Sequence, residues 1–276
     1  MGYKSVYLTI DDCPSKDFFK KLHFLMEHKI PAVFFCTASQ IEPYQSDLAL
    51  AIKNKYHIGS HAYHHKSFSS LSLRQCIDEI IRADSVIHSL YKSCNISSYP
   101  KLFRFPYGDK GDYKFGKHFL PFEKAYRHGL RKRHLWLHLF DLKSLKERQT
   151  QGEQRSFEIQ RALTDLGYQA PAIQIEHPFY KKFLAHHDWM WTLDIGDYKY
   201  RSGENMDVFQ QNIFQWIDSG LPHVEFGKSL QANDICYPES SNILLLHDYE
   251  NHSEIFYQTI HYLLKQGFTF KCPVTG

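Results

Sequence analysis

Apolar and polar positions along this chain fall into short runs of two different periods. Ser5-Val6-Tyr7-Leu8-Thr9-Ile10 alternates every second residue, as a strand does, and stops at Asp11-Asp12 just before Cys13-Pro14. Phe18, Phe19, Leu22, Leu25 and Met26 then recur at helical spacing, and after Pro31 the unbroken run Ala32-Val33-Phe34-Phe35-Cys36 predicts a strand buried on both faces. A helix through Leu48 to Ile52 and a short strand at His57-Ile58-Gly59 follow. Ser72-Leu73-Arg74-Gln75 has the form of a capping box and opens a helix carrying Ile77, Ile80, Ile81 and Ile87. Further strands are predicted at 102–105, 172–175, 190–193, 243–246 and 268–270. Helices are expected to end near Gly167, Gly220 and Gly267, where glycine accepts the left-handed cap conformation. Strand and helix alternate throughout, which predicts an α/β chain, either a barrel or an open parallel sheet. A length of 276 residues suits one domain.

The chemistry-bearing residues collect where apolar runs end. Asp11 and Asp12 close the first strand, and successive residues on an extended chain point in opposite directions, so one carboxylate could ligate a metal while the other serves as a base. His61 and His65 stand four apart downstream, and one carboxylate with two imidazoles is a common divalent-metal set that leaves room for water. Spacing alone does not single them out: with 18 histidines, His57/His61 and His134/His138 are also four apart. The last pair sits beside Leu135-Trp136-Leu137 and Leu139-Phe140, where packing is the better explanation. An Asp-Asp at a strand end is equally a turn or a helix cap. Company distinguishes the first site: Arg104-Phe105-Pro106-Tyr107, Asp194-Ile195-Gly196-Asp197-Tyr198 and Leu244-Leu245-Leu246-His247-Asp248 each lie at or just after a strand-like stretch.

With these five segments in this order, the sequence resembles the polysaccharide deacetylase family, also called the NodB-homology family or carbohydrate esterase family 4. The family's T-F-D-D-G-P is similar to Thr9-Ile10-Asp11-Asp12-Cys13-Pro14, and its S-H-x-x-x-H to Ser60-His61-Ala62-Tyr63-His64-His65. Its R-x-P-Y, D-x-x-D-W and L-x-H elements are similar to residues 104–107, 194–198 and 245–247. Two departures stand out: Cys13 replaces a glycine and could crowd the backbone or bring a thiol near a metal, and Tyr198 replaces a tryptophan. The resemblance implies a distorted, incomplete (β/α) barrel. It implies a divalent ion on Asp12, His61 and His65, zinc first with cobalt, nickel or iron also compatible. Asp11 would be the base, oriented by Arg104; the backbone N–H of Tyr107 would meet the oxyanion; His247 would be the acid, tuned by Asp197. Tyr107, Tyr198 and Leu245 would touch substrate.

Composition sets the remaining bounds. A formal charge of +3 and no recognised nucleic-acid motif argue against a nucleic-acid partner. Cys13, Cys36, Cys76, Cys94, Cys236 and Cys272 show no C-x-x-C and read as free thiols in a reducing compartment. No apolar segment precedes the first strand, so a cytoplasmic protein is expected, in one version at the cytoplasmic face of the membrane. The family does not explain an insertion at about 111–154. From 114 to 152 it holds 10 Lys or Arg against 3 acids, with Arg131-Lys132-Arg133 beside Leu135-Trp136. It reads either as a solvated helical hairpin packing its aromatics on the barrel, or as a surface for an anionic membrane or a lipid-linked substrate. The expected activity is metal-dependent removal of N-acetyl groups from an amino sugar in a polysaccharide, oligosaccharide or lipid-linked precursor. Hydrolysis of a cyclic imide, ureide or formamide, or carbohydrate binding without turnover, are the alternatives.

Overall fold

A computed structural model describes residues 5–112, 135–173, 186–200, 205–219 and 242–272. The elements run β1 (Ser5–Cys13), α1 (Phe18–Glu27), β2 (Ala32–Cys36), α2 (Gln45–Lys53), β3 (His57–Ser60), α3 (Leu73–Ser93), α4 (Leu135–Asp165), β4 (Leu193–Asp194), α5 (Met206–Ser219), β5 (Asn242–His247), α6 (Ser253–Lys265) and β6 (Thr269–Phe270). The strands form one parallel sheet in the order β3-β2-β1-β5-β4, with β6 pairing the start of β1. Parallel pairing requires crossovers, and helices supply them, covering one face of the central strands at Val6, Leu8, Ile10 and Phe34, while Val33 and Phe35 on the other face pack with Leu102, Trp189 and Ile243. Val6, Leu8 and Ile10 of β1 and all five residues of β2 are buried. Each such aliphatic side chain contributes roughly 1.5–3 kcal/mol by leaving water.

The helices start and stop for local reasons. Ser72 Oγ accepts from Gln75 N (3.2 Å) while Ser72 N donates to Gln75 Oε1 (2.8 Å), so the capping box opens α3 as its sequence predicts. Gly167 and Gly267, just beyond α4 and α6, both have φ +81 with open space where a Cβ would sit; there the backbone angle asks for glycine, not crowding. Gly220 lies outside the described residues.

Three expectations change. The strand predicted at 102–105 is reduced to a single bridge, Ser60 to Phe103, because Pro106 ends the extended segment and has no N–H to offer a ladder. The bonding continues past it, with Trp189 N donating to Phe103 O at 2.8 Å. The strand expected at 190–193 is shortened to the two-residue β4, which begins three positions later and ends one later, and only part of the segment 172–175 is described, without strand pairing. Finally, α4 runs unbroken through the expected insertion boundary at residue 154, so the end of the insertion and the helix after it are one 31-residue element. Arg131, Lys132, Arg133 and His134 lie outside the described residues, and so does the side chain of His138.

Gly59 in β3 has no room for a side chain: an added Cβ would stand 2.8 Å from the Phe35 ring and 3.0 Å from Leu102 O. Gly59→Ala should therefore lower unfolding stability by ~1–3 kcal/mol through overpacking. A wild-type denaturation midpoint for this variant would show that β2 and β3 pack less tightly than described.

Candidate metal centre

The sheet register brings the site together before any side chain is considered. In parallel strands all C-terminal ends lie on one edge, and the candidate residues are at or just beyond those ends. Asp11 pairs directly with His247 across β1 and β5, and Cys36 pairs with Ser60 across β2 and β3, so His61 follows at the same edge. His61 N donates to Cys36 O (2.8 Å) and Arg104 N to Ser60 O (2.9 Å), which adds the segment after Phe103.

The two carboxylates do not point in opposite directions. Asp12 adopts φ +59, and the β1/β2 register shifts between Ile10 and Cys13, so simple alternation breaks and both acids line one cleft. Their partners separate them. Asp12 Oδ1 lies 2.8 Å from His65 Nε2 and 3.5 Å from His61 Nε2. Asp11 Oδ1 receives Arg104 Nη1 at 2.8 Å, and its Oδ2 lies 3.7 Å from His61 Nε2.

Asp12, His61 and His65 each offer one ligand atom, and these three atoms lie within 4.8 Å of one another. Their chemistry fits a divalent cation. Asp12 Oδ1 is buried without a hydrogen-bond donor aligned on it, although His65 Nε2 is close. His61 Nδ1 donates to Arg104 O (2.8 Å), which places its proton there and leaves the Nε2 lone pair facing Asp12. Burial lowers the His61 pKa against the opposing pull of Asp11, favouring the neutral, ligating form. For Asp12, burial alone would raise the pKa, but the closeness of His65 and the electrostatic pull of the histidines around it outweigh burial and hold the carboxyl well below its usual range.

On the other side of the cleft, Asp197 grips His247 twice. Its Oδ2 accepts His247 N (2.8 Å) and its Oδ1 lies 2.7 Å from His247 Nδ1. Gly196, at φ +72, turns the chain so that Asp197 can do this. Burial opposes a charge on His247, yet Asp197, with help from Asp12 and Asp194, pushes its pKa up to about 10. Asp194, also buried, is raised to about 6 despite His247 and the Gly196 N–H.

These groups line a cleft of about 280 Å³ whose walls include Tyr107, Trp191, Tyr198, Leu245 and Tyr249. Tyr107, at φ +60, stands at the rim with its ring edge-on to His65 (4.7 Å). Tyr198 meets His247 edge-on at 5.1 Å. Trp189, two residues before Trp191, is instead buried against Phe35. Cys13 is buried too, its thiol directed at the carbonyls of Ile10 and Asp11 and not into the cluster of ligand atoms. Tyr249 escaped the sequence reading. Its ring stacks on His247 (5.4 Å, 7° between planes), and burial together with Asp12 raises its hydroxyl pKa. Its only sequence signal is adjacency to His247-Asp248. Lys21 lies on α1 among its buried residues. It forms a buried ion pair with Asp248 (2.7 Å) and also donates to Tyr249 O, anchoring the segment after β5.

Comparison with known proteins agrees with this geometry. Residues 1–117 match the family model described as polysaccharide deacetylase. The chain is 31% identical over 106 residues to a peptidoglycan-N-acetylglucosamine deacetylase of Bacillus cereus, covering 38% of this chain and 36% of that one. It is 28% identical over 108 residues to a chitooligosaccharide deacetylase of Bradyrhizobium, covering 39% and 48%. The chain spans less than half the length of the curated relatives it matches. Its fold is shared with a polysaccharide deacetylase from Bacillus cereus, at a TM-score of 0.55 and 18% identity, covering 97% of this chain and 91% of that one. It is shared equally with a family 4 pseudoenzyme from Bacillus anthracis, at 0.54 and 16%, covering 97% and 63%. Over part of its length the chain is similar to polysaccharide and peptidoglycan deacetylases, and because one fold serves enzyme and pseudoenzyme, the side chains must decide activity.

Adding Zn²⁺ to metal-free protein should raise its Tm, and Asp12→Ala or His61→Ala should remove that rise. A rise that survives both substitutions would place the ion elsewhere.

Proposed function

We propose that this chain is a metal-dependent hydrolase that removes the N-acetyl group from an N-acetylated amino sugar, in a polysaccharide, an oligosaccharide or a lipid-linked precursor. One observation carries the reading: Asp12 Oδ1 shares its surroundings with two imidazole Nε2 atoms, while a second carboxylate and a carboxylate-held histidine line the same cleft. The names of the homologues supply the substrate class. Asp12, His61 and His65 would hold the ion, most suitably Zn²⁺, with Co²⁺, Ni²⁺ or Fe²⁺ compatible with the same donors. When bound, such an ion acidifies a water and polarises the amide carbonyl.

The rest falls to this chain's own residues. Asp11, oriented through Oδ1 by Arg104, is the base that takes the water's proton. The Tyr107 backbone N–H is the donor for the carbonyl oxygen as it gains charge. His247, protonated and held at Nδ1 by Asp197, gives its proton to the departing amine. Tyr107, Tyr198 and Leu245 bound the space for sugar and acyl group. We further infer a single catalytic domain in which the sheet curls into the family's incomplete barrel, with the line of bonds from Ser60 through Phe103 to Trp189 as support.

Acetate release from N-acetylglucosamine oligomers, with Zn²⁺ or Co²⁺ added back, tests this directly. Asp11→Asn should lower kcat by about 10²- to 10⁴-fold while retaining bound metal. No release from wild-type protein that holds stoichiometric metal would reject these substrates. A pH profile tests the acid. Activity needs protonated His247 and should fall as pH rises through its pKa. Asp197→Asn removes the main influence raising that pKa, so the alkaline limb should move to lower pH; an unmoved limb would assign it to another group.

A further inference from the structure

We propose that Glu79, a carboxylate on α3 outside the cleft, is the positioning residue for the two metal-binding histidines, acting through the backbone of the loop between them. The inference rests on the metal-site reading above and extends it to a residue that touches neither ion nor substrate. Glu79 is buried, 6% exposed, in the interior of a helix. Its Oε2 accepts Tyr63 N (3.1 Å) and His64 N (2.7 Å), and its Oε1 lies 2.6 Å from His64 Nδ1. An ionised carboxylate is costly to bury unless well paired, and these three partners all belong to the stretch between His61 and His65.

That stretch needs holding. Ala62 has φ +62 and His65 φ +57, both in the left-handed region without being glycine. Such conformations cost on the order of 1–3 kcal/mol each and persist only where the surroundings impose them. The loop's carbonyls are tied on one side, Ala38 N donating to Ala62 O and Ser39 N to Tyr63 O, each at 3.0 Å. Its N–H groups at 63 and 64 are tied on the other side by Glu79 alone among the described residues. Loop and helix are clamped again where the Arg82 guanidinium lies 3.7 Å from the centre of the Tyr63 ring. Release of the two amides lets the loop relax toward negative φ. His65 sits at its end, with Nε2 only 2.8 Å from Asp12 Oδ1, so a small backbone change removes a ligand. Both backbone N–H groups converge on the single oxygen Oε2, so a side chain that is shorter or lacks an acceptor leaves them unpaired.

The test uses the full chain with Co²⁺ as probe, reading both the dissociation constant and the visible d–d spectrum. Glu79→Ala and Glu79→Asp should each bind Co²⁺ about 10- to 100-fold more weakly than wild type and alter the spectrum, at a temperature where circular dichroism shows both folded. If Glu79→Ala does not fold, Glu79→Asp carries the test, because it keeps the charge but is one methylene too short to reach the loop. Ile81→Gly loosens α3 by ~1 kcal/mol from its exposed side and should keep the wild-type affinity. Folded Glu79 variants with wild-type affinity would overturn the proposal. Equal weakening by Ile81→Gly would also overturn it, reducing Glu79 to helix stability. The metal site itself fails differently: wild-type protein that does not bind Co²⁺, or binding that survives His65→Ala, removes the centre and this inference with it.

Discussion

Arg104 joins the two halves of the site. Its side chain is fully buried, with Nη1 on Asp11 (2.8 Å) and Thr9 Oγ1 (2.7 Å), Nε on Trp189 O (2.9 Å), and the guanidinium 4.4 Å from the Phe35 ring centre. Its backbone is equally committed, donating to Ser60 O and accepting from His61 Nδ1. One residue therefore orients the proposed base and fixes the tautomer of a proposed metal ligand. Removing one partner of a buried ion pair costs about 3–5 kcal/mol, because the other is left charged and dry. Lysine could not replace it. The planar fork reaches Asp11, Thr9 and a carbonyl in different directions while lying against an aromatic ring, and an ammonium has neither the shape nor the stacking face.

Around that node the sheet does the coarse positioning and a few unusual backbone angles do the fine positioning. Parallel pairing sets Asp11 opposite His247, so the proposed base and acid become neighbours through register alone. Asp12, Ala62, His65 and Tyr107 then take positive φ, and three of these four line the cleft. Non-glycine residues in this region gather at functional sites because the surrounding contacts can sustain the strain there. Lys21 performs a similar service for the far strand, holding Asp248 and the Tyr249 carbonyl so that the chain leaving β5 keeps His247 and Tyr249 in the cleft.

The parts of this arrangement that local pattern encodes were legible in the sequence. The alternation in β1, the continuous apolar run of β2, the Ser72–Gln75 box and the glycines beyond α4 and α6 are short-range signals, and each element forms where they place it. The strand around Phe103 was not legible as a single bridge, since its pairing depends on what lies beside it as well as on the stop at Pro106. Alternation also misdirected the reading of Asp11 and Asp12. A bulge with positive φ turns both acids to one face; aspartate tolerates that angle better than most residues, but nothing local says which of the two will adopt it. Lys21, Glu79 and Tyr249 stayed hidden for a related reason: a lysine and a glutamate on amphipathic helices look like solvent-facing positions until distant strands and loops supply buried partners.

Charge explains why the cleft favours a cation and what a cation would do to its acid. Counting formal charges with His247 protonated, the carboxylates of Asp11, Asp12 and Asp197 face Arg104 and His247, three negative against two positive, and Asp194 adds to the excess as pH rises through about 6. The surplus belongs to Asp12, because Asp11 has the guanidinium and Asp197 has the imidazolium, whereas His61 is driven toward neutrality by burial. A neutral imidazole cannot compensate a buried carboxylate, but a divalent ion shared with it can. The same step acts on His247. Part of what raises its pKa to about 10 is the charge on Asp12, and a cation at that carboxylate cancels this contribution while leaving Asp197 in place. The loaded site therefore holds a weaker grip on the His247 proton than the empty one, which brings the acid closer to the range where a proton can be given up and regained in each turnover.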